Sequence, residues 1–203
     1  MIIVILIFNS TIGHEQEVIK TDKANSHMKQ MNHFAYPEIK RDLVDCAEPG
    51  DITTAIPEGT LDLPAFGIMF DVQSKVDDML ITQLSFYSTS EANTELSYLL
   101  FTVDGSYEDH LTNSLGWELI ANGTTITPGE GSLTPIPDEL SVMMEKFKKR
   151  GFYISLLTRE LQYLKSDKSS GQMFISNDDI EIFVGAGTWE YSPDTGPIIF
   201  ADR

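Results

Sequence analysis

Nucleophilic catalysis needs a base beside the nucleophile, and this chain is poor in bases. It holds four histidines. His14, His27 and His33 share one polar segment, and His110 is the histidine of the remainder. Neither a Gly-x-Ser-x-Gly elbow nor a glycine-rich phosphate loop occurs. Cys46 is the single cysteine, so an internal disulfide and a cysteine-built zinc site are both excluded. Its neighbours Asp45 and Glu48 disfavour the thiolate. No catalytic residue is assigned. The enzyme class that stays open is a carboxylate-dependent glycan hydrolase or lyase, because two facing acids suffice for it. With 31 acids in the chain, no pair stands out.

Two non-catalytic chemistries remain. Acids gather at predicted turns: Asp71, Asp77 and Asp78; Asp104 and Asp109; and Asn177, Asp178 and Asp179. Calcium takes several hard oxygens, which such loops supply, and the last cluster is the candidate site, with Ca2+ the candidate cofactor. Asn and Asp also favour turns for backbone reasons alone. Exposed aromatic rings, in turn, can stack on the apolar face of a sugar. Trp189 and Tyr191, in a loop bounded by Pro and Gly, and Tyr107 are the candidates; Trp117 reads as core. Asn9-Ser-Thr and Asn122-Gly-Thr are N-glycosylation sequons, the second in a predicted surface turn.

The charge balance narrows the partners. Fourteen Lys and Arg against 31 Asp and Glu give a net charge of −17, which repels nucleic acid and anionic lipid. A glycan or a cell-surface protein fits better, and nucleic acid is not expected.

The elements that must position these residues read mostly as strands. Met1–Phe8 is an unbroken apolar run too short to span a bilayer. It resembles the hydrophobic part of a signal peptide over residues 1–13, truncated at its start because no basic residue precedes the run. An ordinary buried strand is the other reading. Residues 14–50 form a polar tail or linker, and residues 51–203 the folded domain. Within it Gly67–Val72 and Leu80–Tyr87 alternate and form a candidate hairpin. Leu96–Val103 is more uniformly apolar, as befits a strand covered on both faces. Thr127–Pro137 is a long connection. Gly151–Gly187 contains three alternating runs parted by turn-forming SDKSSG and SNDD, antiparallel structure with one buried face. Between them Pro137–Gly151 has helical spacing: Leu140, Met143, Met144 and Phe147 fall at i, i+3, i+4 and i+7, with acids first and Lys148, Lys149 and Arg150 last.

The succession GIMFDV, FTVDGSYE, GWELI, a glycine-rich loop ending in TPIP, then GFYISL, SNDDIEI and VGAG resembles an uncharacterised family of predicted secreted or surface proteins of marine microalgae. The likeness covers Gly67–Gly187. It implies a secreted β-sandwich and no activity. Family members would carry a short loop in place of the Pro137–Gly151 helix and one further strand after the C-terminal end.

The expected fold is all-β, an antiparallel sandwich of jelly-roll type with one short α-helix. The expected role is a non-catalytic, secreted or cell-surface binding or adhesion module, with carbohydrate as the candidate ligand. The alternatives are the glycan-active enzyme and a purely structural part of a surface protein.

Overall fold

The computed structural model describes residues 2–3, 10–11, 50, 52, 64–111, 115–188, 190–192 and 196–198. Only the backbone is described for residues 2–3, 10–11, 164–165, 190–192 and 196–198.

The protein is an all-β antiparallel sandwich. Its strands are β1 (Ile2–Ile3), β2 (Ser10–Thr11), β3 (Gly67–Ser74), β4 (Met79–Ile81), β5 (Ser85–Ser88), β6 (Glu95–Asp104), β7 (Glu118–Ile126), β8 (Leu133–Pro135) and β9 (Val142–Met144). Then follow β10 (Lys149–Leu156), β11 (Leu161–Gln162), β12 (Leu164–Lys165), β13 (Met173–Ser176), β14 (Ile180–Phe183), β15 (Ala186–Thr188), β16 (Glu190–Ser192) and β17 (Gly196–Ile198). A seven-stranded sheet runs β13-β14-β3-β10-β6-β7, with β15 also on β3. Two three-stranded sheets, β11-β5-β8 and β2-β4-β9, supply strands to the opposing layer, and β1 pairs with β12.

Alternation along the long strands decides the layers. Ile68, Phe70 and Val72 of β3, Leu96, Tyr98 and Leu100 of β6, and Phe152, Ile154 and Leu156 of β10 turn to one face. There they join Met79, Ile81, Phe86, Val142, Met144 and Leu161 of the smaller sheets in one core. Phe70 and Phe152, directly opposite in register, stack at 5.7 Å.

β10 departs from the expectation of one buried face. From Gly151 onward it is buried on both, because it lies between β3 and β6 and the chain after β6 folds back over its outer side. The strand β6 lies between β10 and β7 in the sheet, but it is not covered on both faces as expected: Leu96, Tyr98 and Leu100 are buried, while Ser97, Leu99 and Phe101 on the outer face are half-buried. β13 and β14 form a hairpin, while β3 separates β14 from β10.

The expected hairpin of Gly67–Val72 with Leu80–Tyr87 does not form. After β3 the chain crosses to the opposing layer, and its second half splits into β4 and β5 in different sheets. At the break the Thr82 and Leu84 carbonyls accept Leu140 and Ile136 N–H groups instead of a ladder partner.

The helix expected over Pro137–Gly151 is also absent. Val142–Met144 pairs with Met79–Ile81 in β4, placing Met144 against Met79 and Val142 against Ile81. Leu140, Val142 and Met144 are buried, while Met143 and Phe147 stand 54% and 62% exposed. Period two therefore wins over the helical spacing, because an unpaired β4 offered a partner and an apolar layer to cover. The basic residues sit on acids, Lys149 on Asp71 and Arg150 on Asp104. No helix among the described residues is long and apolar enough to cross a membrane, which says nothing of a β-barrel.

Candidate functional site

The outer face of the seven-stranded sheet carries a second, aromatic cluster. Register puts Tyr153 of β10 between Met69 of β3 and Phe101 of β6. Phe101 and Tyr153 stack at 5.7 Å with ring planes 19° apart. Trp117, just before β7, meets Tyr153 edge-on at 6.0 Å, and His110 meets Trp117 edge-on at 6.4 Å. The Trp117 indole N–H donates to the His110 carbonyl at 3.3 Å, and His110 Nδ1 lies 2.9 Å from the Leu115 carbonyl. Tyr153 is fully buried, whereas Phe101, His110 and Trp117 are half-buried. Leu115 and Leu119 flank them at 78% and 48% exposure. The result is a partly open surface of aromatic and aliphatic groups. Such a surface can stack on an apolar ligand face.

A buried latch holds the segment that shapes this surface. Asp71 points to the outer face from β3 and is wholly buried. Its carboxylate accepts the Ser106 hydroxyl at 2.6 Å and the Tyr107 N–H at 2.7 Å, with Lys149 Nζ at 3.7 Å. Lys149 also lies 3.9 Å above the Phe183 ring centre. Burial pushes the Asp71 carboxyl above its ordinary range; the bonds from Ser106 and Tyr107 and the Lys149 charge oppose this, and the Glu108 charge reinforces it. Ser106 caps the short turn Tyr107–His110 by accepting the Glu108 N–H. Gly151 makes room for the turn, since a Cβ there would lie 2.7 Å from Val103 Cγ1 and 3.0 Å from the Tyr107 nitrogen.

Tyr107 is therefore an anchor, which corrects the expectation that it contacts ligand. Its ring is fully buried, and its hydroxyl donates to the Val184 carbonyl at 3.1 Å and meets the Ser170 hydroxyl. The acidic turn Asn177–Asp179 is built around Asn177. Asn177 Oδ1 accepts the N–H groups of Asp179 and Ile180, each at 2.9 Å, and the Lys75 ammonium sits 2.5 Å from the Asn177 carbonyl. Calcium needs converging oxygens, and here both Asn177 oxygens are committed to the turn and to a lysine. Among the described residues no group of three or more His, Cys, Asp or Glu is placed to hold a metal.

Trp189 and the Tyr191 side chain lie outside the described residues, as do Cys46, His14, His27 and His33. Asn122 is exposed, but in the middle of β7 and not in a turn. Sequence reasoning assigned Trp117 to the core. The clue it passed over was position: Trp117 and Leu119 share a face on a strand that ends the sheet, where coverage is partial. No protein-family model matches this chain, and neither a curated protein nor a solved structure is similar to it at a significant level.

Proposed function

We propose that this protein is a non-catalytic binding module that takes a ligand with an apolar face, a carbohydrate ring above all, on the surface of Phe101, His110 and Trp117. The observation behind this reading is the half-buried state of these three rings over a rigid base, Tyr153. Rings fixed by packing lose little entropy when a ligand stacks on them. Export to the cell surface belongs to the same proposal. It draws on the apolar run Met1–Phe8, the exposed Asn122 sequon and the resemblance to the microalgal family. The backbones of Ile2–Ile3 and Ser10–Thr11 are paired with β12 and β4, so removal of residues 1–13 would free those two edges.

The test is a glycan array probed with the full chain in calcium and again in EDTA, beside Trp117→Ala and the packing-conservative Trp117→Phe. Binding that persists in EDTA, falls at least tenfold in the alanine variant and survives in the phenylalanine variant is the expected result. Silence of the unaltered chain in both buffers would overturn the reading in favour of a structural module.

A further inference from the structure

The two edges of the seven-stranded sheet are built differently. An edge strand presents unpaired N–H and C=O groups to any other strand, and proteins usually blunt such edges with shortness, bulges, lysine or proline. β13 shows three of these devices. It has four residues, its register shifts between Met173 and Ile175, and Lys168 Nζ covers the edge by donating to the Met173 and Phe174 carbonyls at 3.0 and 3.3 Å.

β7 is nine residues long and ends the sheet at the other side. From Leu119 to Ile126 it reads LIANGTTI, without a charge or a proline in a chain of net charge −17. Its ladder with β6 accounts for one side. Among the described residues, β7 also approaches β8 at its far end, where the Thr125 hydroxyl donates to the Pro135 carbonyl at 2.8 Å. Its one protective irregularity is the shift opposite Leu100 and Phe101, which makes Ile120 a bulge residue.

We propose that β7 is a self-association edge, pairing antiparallel with β7 of a second copy about a two-fold axis at Gly123. Register and facing choose this arrangement. Asn122, Thr124 and Ile126 lie on the outer face with Leu119, while Ala121 and Thr125 turn to the core. Paired residues must share a face. About Gly123, Ala121 meets Thr125 of the second copy and Asn122 meets its Thr124. Past the bulge, Leu119 meets the second copy's Ile126. Leu119 and Ile126, 48% and 53% exposed in one copy, thus cover each other at both ends of the ladder. The pairing adds roughly four to six backbone hydrogen bonds. Neutral residues fill the seam where two chains of this charge come closest. Both outer faces then lie on the same side of one continuous sheet. An N-glycan on Asn122 would stand in the pairing row and keep the chains apart.

The experiment uses the full chain from a host without N-glycosylation, measured by sedimentation equilibrium from about 1 to 300 μM. Two variants carry exposed substitutions only, Asn122→Asp with Thr124→Asp and Asn122→Lys with Thr124→Lys, and a third sample is their equimolar mixture. The unaltered chain should reach twice the chain mass as concentration rises. Each variant alone should stay single, because like charges face each other across the axis. The lysine variant should do so although it lowers the overall negative charge, and the mixture should recover the doubled mass. An unaltered chain that stays single throughout overturns the proposal. So does a lysine variant that associates as well as the unaltered chain, or a mixture that stays single while the unaltered chain pairs.

Discussion

Replacing Asp71 by alanine tests whether the segment over the outer face is held by one buried carboxylate. The substitution removes the acceptor of the buried Tyr107 N–H and of the Ser106 hydroxyl. A buried donor left without a partner costs about 1–3 kcal/mol. The loss of the Lys149 contact adds little, since that side chain is 30% exposed and can rehydrate. Relief of the buried charge offsets part of the total, so a net loss of about 2–4 kcal/mol is expected. Urea unfolding followed by tryptophan fluorescence measures it, and hydrogen exchange at the Tyr107 amide locates it.

The pH dependence supplies a sharper check. Burial raises the folded-state pKa of Asp71 above its unfolded value. Asp71 therefore contributes most favourably below the unfolded value, near about 3.9, and that contribution is lost as pH rises through the raised folded value. The stability gap between the unaltered chain and Asp71→Ala should accordingly widen as pH falls from neutrality toward about 4. Other acids titrate in both proteins and cancel in the difference. A loss below about 0.5 kcal/mol would refute the latch, whereas a gap that narrows on acidification would mean that the bonds from Ser106 and Tyr107 and the Lys149 charge outweigh burial.

Two further substitutions probe the packing. Gln162 faces Tyr87 across the β11–β5 pair, is 4% exposed, and among the described residues neither polar atom of its side chain has a hydrogen-bond partner. Gln162→Met keeps the volume and removes the unsatisfied amide, so the urea midpoint should rise by the equivalent of about 1–3 kcal/mol; a lower midpoint would mean that the amide is satisfied in solution. Gly185 passes so close to β3 that a Cβ there would stand 1.9 Å from the Met69 carbonyl oxygen. Gly185→Ala should cost about 3 kcal/mol or more and detach β14 and β15 from β3, seen as lost amide protection along both strands; an unchanged melting curve would contradict that close approach.

Several elements were legible in the sequence because the information for them is local. Alternation in GIMFDV, LSYLLFTV and GFYISL sets which side chains face the core in any sheet they join, and turn residues mark the ends of the strands. The all-β class and the β13–β14 hairpin follow from such patterns. The helix over Pro137–Gly151 shows where local information fails. Leu140 and Met144 satisfy both periods, and only the presence of Met79–Ile81 as a partner selects the strand. Similarly, the Asn177–Asp179 cluster carries the composition of a calcium loop and also that of an Asx turn; Lys75, far away in sequence, takes the carbonyl.

The site itself is a product of the tertiary structure. Composition and charge determined that this is an acidic chain, and local alternation that it is strand-rich. The pairing of β3 with β10, and of β10 with β6, decided that Tyr107 is buried, that Asp71 caps the turn above it, and that Trp117 stands half open beside Phe101. Exposure depends on what covers a residue, and every covering segment here comes from a distant part of the chain.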